Sequence, residues 1–236
     1  MSQNQPNADY ELIYWPLPFR GCFVSYLFAY RDVPLIEISD FDEINSQKDR
    51  PCKDQAIPFM GPPTLRHRTS GFTLSQMPAI VLHVAPELDL LPERHADLSM
   101  GLKVFMDCND ILMELCRYNG STMWERDEWL VFRLQRFPRW LEILEECCKR
   151  GLFGAQASSF VDIAVYALLG NMTRCLPELE GDVVDNAPLT FQLCRKIGAE
   201  PSLASYVEGQ AARYGQLYCG GYIEASIRDM LALDAG

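Results

Sequence analysis

The side chains with most chemistry to offer are nine cysteines, at positions 22, 52, 108, 116, 147, 148, 175, 194 and 219. A thiolate attacks electrophiles, exchanges disulfides and ligates metals. The spacing argues against two of these uses, because no two cysteines form a C-x-x-C pair and no Cys/His grouping has zinc-ligand spacing. A dithiol redox pair and a bound metal are therefore not expected. Most of the thiols read as small buried hydrophobes, while Cys52, in a polar stretch, reads as a surface thiol. Three other segments stand out. Tyr14-Trp15-Pro16-Leu17-Pro18-Phe19-Arg20-Gly21 sets a phenol close to an arginine, Pro62-Pro63 precedes a β-type run, and Ser75-Gln76-Met77-Pro78 precedes an apolar one.

Charge narrows the partners. The chain has 21 basic and 32 acidic residues, a formal net charge of −11. Such a chain repels phosphate backbones and anionic lipid. The densest basic cluster, Arg66-His67-Arg68, is too short to reverse this, so neither nucleic acid nor membrane is an expected partner. With 236 residues, 48% of them hydrophobic, the chain can bury one large core or two modest ones. The opening MSQNQPNADYEL has no basic n-region or apolar core, and no run is long enough to span a bilayer. A cytoplasmic protein with reduced thiols is the expectation.

These segments need elements to position them. Residues 1–9 are polar and should fray. Tyr10 to Tyr14 reads as a strand ended by Pro16 and Pro18. Phe23, Val24, Leu27 and Phe28 share a helical face, which predicts a helix over 21–31, and 33–38 reads as a second strand. Strand, helix, strand in that order suggests a parallel βαβ unit. The polar stretch 39–60 shows no period and reads as loop or weak helix. Two short strands over 64–66 and 71–74 follow, then a helix from about Ala79. The acidic, proline-containing stretch 86–94 reads as a linker, and everything after His95 reads as helical. One long helix reaches Arg150 and bends near Pro138. Ser159-Phe160-Val161-Asp162 reads as a capping box with Asp in the Glu place, opening the helix 163–169. Further helices are expected over 187–197 and 203–214.

The ordered set of motifs resembles the cytosolic glutathione transferases over roughly 10–214. Tyr14 through Gly21 is similar to the family's segment between first strand and first helix. Phe59-Met60-Gly61-Pro62-Pro63-Thr64-Leu65 is similar to its cis-proline segment, and Ser75-Gln76-Met77-Pro78-Ala79-Ile80 to its Gln-Ser-x-Ala-Ile motif. Ser159 to Asp162 is similar to its helical-domain capping box. The combination is closest in kind to poorly characterised bacterial and fungal members. The resemblance implies an α/β thioredoxin-like domain over 1–86, an all-α bundle over 96–236, and a homodimer.

It also implies roles. Tyr14 would donate to the sulfur of glutathione, the co-substrate, and lower its thiol pKa. Lys53 would meet the glycine carboxylate. Pro63 would be the cis-proline, with Pro62 contributing a carbonyl but no N–H to the tripeptide. Gln76 would hold the γ-glutamyl carboxylate at a helix start. Met77 replaces the family's serine and cannot bond a carboxylate, so Ser75 or backbone N–H groups would substitute. Asp110 would reach the γ-glutamyl ammonium across a dimer interface. An apolar electrophile would sit between the domains against Trp15, Leu17, Phe105, Met106 and Met113. Two alternatives stay open. One is a catalytically weak binding or stress-linked member. The other is cysteine-type thiol–disulfide exchange through Cys22, with Ser25 as a serine-type rival to Tyr14.

Overall fold

A computed structural model describes residues 7–92, 94–154 and 158–234; the expectation for 1–6 lies outside them. The described chain divides into two compact units. The first runs to Leu91 and also takes in Glu200–Tyr214, and the second comprises Pro92–Ala199 and the chain from Gly215 on.

The first unit is built on a four-stranded sheet in the order β2-β1-β3-β4. Strands β1 (Tyr10–Ile13) and β2 (Ile36–Ile38) are parallel and are joined by helix α1 (Cys22–Tyr30). This is the βαβ unit the alternation of patterns required. Strands β3 (Thr64–His67) and β4 (Thr73–Ser75) add antiparallel neighbours. Residues 22–28 of α1 are buried all round, as expected of a helix with almost no polar face. The polar stretch after Ile38 holds a real helix, α2 (Phe41–Lys48). Its periodicity is weak, and its start is fixed by a cap: the Asp40 carboxylate accepts the Glu43 N–H at 2.9 Å. Asp42 and Glu43 in the first turn complement the helix dipole. Helix α3 (Met77–Val84) follows β4 directly.

The second unit holds helices and no strand among its described residues: α4 (His95–Leu115), α5 (Arg126–Val131), α6 (Phe137–Lys149), α7 (Phe160–Val165), α8 (Asn171–Cys175), α9 (Glu180–Asn186) and α10 (Pro188–Gly198). Helix α11 (Pro201–Tyr214) belongs to the first unit, and α12 (Gly221–Asp234) closes the second. The expectation of an all-α bundle over 96–236 places 200–214 with the second unit, and the structure places it with the first. Helical periodicity reports that a helix has an apolar face and not which core receives it. No described helix is long and apolar enough to cross a membrane.

The bend expected near Pro138 is a single wide turn, Phe132–Arg136, with i→i+5 geometry between α5 and α6. Pro138 has no N–H, and its ring crowds the carbonyl four residues back. A π turn absorbs both defects without breaking the helix. The capping box is present as read. Ser159 Oγ accepts the Val161 N–H at 3.3 Å, and the Asp162 carboxylate takes the Ser159 N–H at 2.7 Å.

Asp162 does more than cap. Its side chain is 2% exposed, and it also accepts the Gly154 N–H at 2.6 Å and the Ser159 hydroxyl at 2.8 Å. Hydrogen bonds to a charged group contribute about 1.5–3 kcal/mol each and are not additive. Asp162→Ala should therefore cost about 3 kcal/mol or more in urea denaturation. Asp162→Asn should cost less, since one acceptor oxygen remains.

Candidate active site

Strand register gathers the sequence's candidate residues. Ile13 pairs with Ile38 on one side and with Thr64 on the other, and Thr64 pairs with Ser75. The next residue outward on β1 is Tyr14, whose N–H still bonds the Ile38 carbonyl at 3.0 Å. The residue entering β3 is Pro63, and the one leaving β4 is Gln76. Tyr14, Pro63, Ser75 and Gln76, far apart in sequence, thus emerge at one end of one sheet. The peptide between Pro62 and Pro63 is cis, as the resemblance implied.

Tyr14 is the best-defined member. Its ring lies against the start of α1, where a Cβ at Gly21 would come within 2.5 Å of the ring carbon Cδ1. Only glycine allows this approach. The phenol oxygen accepts the Arg20 backbone N–H at 3.0 Å. An N–H donated to a hydroxyl oxygen polarises that hydroxyl and makes it a better donor in turn. Arg20 therefore acts through its backbone.

Beneath Tyr14 lies a niche walled by Leu12, Cys22, Ser25, Glu37 and Gln210, with Trp15, Leu17 and Tyr214 at its edge. It holds about 20 Å³, room for one water. Cys22 is the first residue of α1 and is 1% exposed. Its thiol donates to Gln210 Oε1 at 3.8 Å, and the same oxygen accepts the Tyr26 hydroxyl at 3.1 Å. Gln210 Nε2 donates to the Tyr206 oxygen at 3.2 Å, and Tyr206 donates to Glu37. With its nitrogen committed to Tyr206, the amide presents an acceptor to sulfur.

The carboxyl at the far end of this chain is unusual. Burial pushes Glu37 above the ordinary carboxylate value, against the opposing pull of the Tyr206 hydrogen bond and the Arg213 charge. Tyr206 is itself raised, by burial first and then by Glu37. Sequence reasoning passed over Glu37, Tyr206, Gln210 and Tyr214. Their only local signal is the i,i+4 spacing of Tyr206 and Gln210 on one helical face, while the Tyr26–Gln210 and Glu37–Tyr206 contacts join residues more than 160 apart in sequence.

The remaining candidates divide. Gln76 is exposed at the start of α3 with φ +73°, a backbone conformation that costs a non-glycine residue about 1–3 kcal/mol. Met77 turns its side chain into the core. The first bond back into α3 is Ile80 N–H to the Gln76 carbonyl at 3.0 Å. The Met77 and Ala79 N–H groups precede it and point out of the helix end. Lys53 is exposed in a short 3₁₀ turn, Cys52–Asp54. Trp15 and Leu17 are half-buried, and the Trp15 ring packs against exposed Phe41 at 5.7 Å. In the second unit, Asp110 is exposed on α4, Met106 is exposed and Met113 half-buried. Phe105 corrects the sequence reading. It is 0% exposed and packs on Phe160 at 6.1 Å, so it is core and unable to touch a ligand. Its neighbour Met106 carries the exposed face, because α4 turns 100° per residue.

Comparison with known proteins agrees with this architecture. The family described as "Glutathione S-transferase, C-terminal domain" matches residues 100–230, and the chain belongs to the glutathione S-transferase family. Its fold is shared with a Pi-class glutathione S-transferase of Onchocerca volvulus, at 19% identity, TM-score 0.72, and coverage of 90% of this chain and 98% of that one. It is likewise similar to prostaglandin synthase D of Nilaparvata lugens, at 18% identity, TM-score 0.69, covering 85% and 98%. Rat hPGDS complexed with a quinoline gives 19% identity and TM-score 0.67, covering 85% and 96%. No curated protein matches by sequence.

The raised Glu37 carboxyl makes a pH prediction. A carboxyl whose folded value lies above its unfolded one stabilises the fold fully below the unfolded value. That contribution is lost as pH rises through the folded value. Glu37→Gln keeps an acceptor for Tyr206 and cannot ionise. Wild type should therefore lose stability relative to Glu37→Gln as pH rises above the ordinary carboxylate range, read as Tm against pH. A constant difference across that range would exclude the effect.

Proposed function

We propose that the protein conjugates glutathione to an apolar electrophile through a thiolate stabilised by Tyr14. The observation that carries this reading is the Tyr14 phenol itself, seated on Gly21, polarised by the Arg20 N–H, and emerging at the same sheet end as cis-Pro63 and Gln76. The thiol proton would pass to water and the Tyr14 hydroxyl would donate to the sulfur anion. A C–S bond would then form as the electrophile's leaving group departs with its electron pair. Pairing at the tripeptide backbone would use the Pro62 carbonyl, with Ser75, the Gln76 side chain and the Met77 N–H at the γ-glutamyl end. Lys53 would serve the glycine end and Asp110 of the partner subunit the ammonium. Trp15, Leu17, Met106 and Met113 are the residues proposed to receive the electrophile. The acceptor that Gln210 sets against the Cys22 thiol speaks against cysteine-type exchange.

One observation favours the weaker reading, of a binder that conjugates poorly. Met77 is buried and carries no hydroxyl, and Pro62 has no N–H, so two contacts of the usual tripeptide clamp are missing. Retention on glutathione-agarose without conjugation of a generic aryl halide would select it.

Tyr14→Phe removes one hydrogen bond to a charged sulfur, about 1.5–3 kcal/mol. The bound thiol pKa should rise by roughly one to two units, and turnover at neutral pH should fall about tenfold or more. Stability should drop by about 1 kcal/mol, because the Arg20 N–H loses its acceptor. Cys22→Ala should leave turnover nearly unchanged. Silent Tyr14→Phe with dead Cys22→Ala would overturn the assignment.

A homodimer is part of the same proposal, since Asp110 serves the site only from a second subunit. Light scattering at micromolar concentration should give twice the chain mass, and a monomer would remove Asp110 from the scheme.

A further inference from the structure

Between α4 and α5 the backbone does something that side-chain chirality disfavours. Arg117, Tyr118, Asn119 and Gly120 have φ of +47°, +53°, +62° and +77° in succession. The ψ angles of Tyr118 and Asn119, 52° and 38°, complete a left-handed helical turn. Residues with a Cβ enter this region singly and at a cost, because the Cβ crowds the following carbonyl. Three consecutive ones persist only if their surroundings hold them there.

Those surroundings are visible. The Arg117 guanidinium donates to Glu128 at 2.8 Å and to the Thr122 hydroxyl at 3.1 Å, and sits 4.7 Å from the Trp124 ring centre. Cys116 accepts the Asn119 N–H on its sulfur at 3.3 Å and the Gly120 N–H on its carbonyl at 2.7 Å. The product of the turn is Tyr118, held 67% exposed at the lip of a cavity of about 280 Å³. Buried Trp124 and Phe132, with ring centres 5.2 Å apart, and exposed Val131 also line it. The π turn that bends α5 into α6 begins at Phe132. Two ion pairs line the cavity, Arg117 with Glu128 and Arg136 with Glu114. Two positive and two negative groups, each already paired, leave it without net sign.

We propose that this cavity binds an uncharged, flat aromatic molecule of about two fused rings, stacked against Tyr118. Four of its lining residues are aromatic or aliphatic, Tyr118, Trp124, Val131 and Phe132, and the other four are charges that cancel in two ion pairs. Its volume is roughly twice the 150 Å³ that admits benzene in an apolar cavity. Strain here serves to present the tyrosine ring. A right-handed turn would be more stable and would place that ring elsewhere. The site shares no residue with the conjugation scheme and stands or falls independently of it.

Equilibrium dialysis of the full chain against 1-naphthol, uncharged at neutral pH, tests the proposal. One saturable site is expected. Val131→Arg, a change at an exposed wall position, should weaken it at least tenfold, and so should Tyr118→Gly. Tyr118→Gly should melt close to wild type, because glycine accepts the left-handed backbone without the steric cost a Cβ incurs, which offsets its greater loss of conformational freedom on folding. Trp15→Ala should bind as wild type does, which separates this cavity from the proposed electrophile pocket. The anion 1-naphthoate should bind more weakly than the naphthol. Absence of saturable binding, unchanged affinity in Val131→Arg, or loss of binding in Trp15→Ala would each overturn the site. Equal affinity for naphthoate would overturn the uncharged class. If Tyr118→Gly misfolds, Val131→Arg carries the test alone.

Discussion

The first unit depends on one amide. Gln210, on α11, accepts from the Cys22 thiol and the Tyr26 hydroxyl with one end and donates to Tyr206 with the other. Tyr206 passes the chain on to Glu37 at the edge strand of the sheet. Gln210, Cys22 and Tyr26 are buried and Tyr206 and Glu37 half-buried, and a buried polar group left without a partner would cost about 1–3 kcal/mol. The network is satisfied only if α11 docks on α1 and β2, so it fixes which core the helix joins. It also fixes the orientation of the amide and the partner of the Cys22 thiol. Had the amide been reversed, its nitrogen would face two donors.

The same logic positions Tyr14. A phenol at the end of β1 could point into core or solvent. Glycine at position 21 opens a space that no other residue would leave, and the Arg20 N–H supplies a donor that fixes the oxygen. The phenol is thus set by backbone features of the β1–α1 connection.

In the second unit, buried carboxylates do comparable work at chain turns. Asp162 collects the N–H groups ahead of α7. Glu145 takes the Leu189 and Thr190 N–H groups opening α10, and Glu224 those of Tyr218, Cys219 and Gly220 ahead of α12. Each is nearly inaccessible to solvent. A buried carboxylate is tolerable because helix starts present unsatisfied donors and a positive dipole end. Three of these arrangements tie loops to helices where an apolar contact would leave backbone groups unpaired.

The sequence by itself determined the βαβ start, the hairpin of β3 and β4, the helical second half and the capping box. These rest on local pattern: alternation, helical periodicity, or a hydroxyl three residues ahead of an acid. It also pointed to Tyr14, cis-Pro63, Ser75 and Gln76 by resemblance, and strand register then placed them together. Helix α2 reads in the sequence only as loop or weak helix, because its period is weak and its signal is one capping aspartate. Only the tertiary structure decided that Phe105 is core while Met106 is exposed, since both fit an apolar stripe. Only the tertiary structure moved 200–214 into the first unit and put Glu37, Tyr206 and Gln210 beside Tyr14. Those groups meet across more than 160 residues of chain, and hydrogen bonds at that separation leave no periodicity in the sequence that makes them.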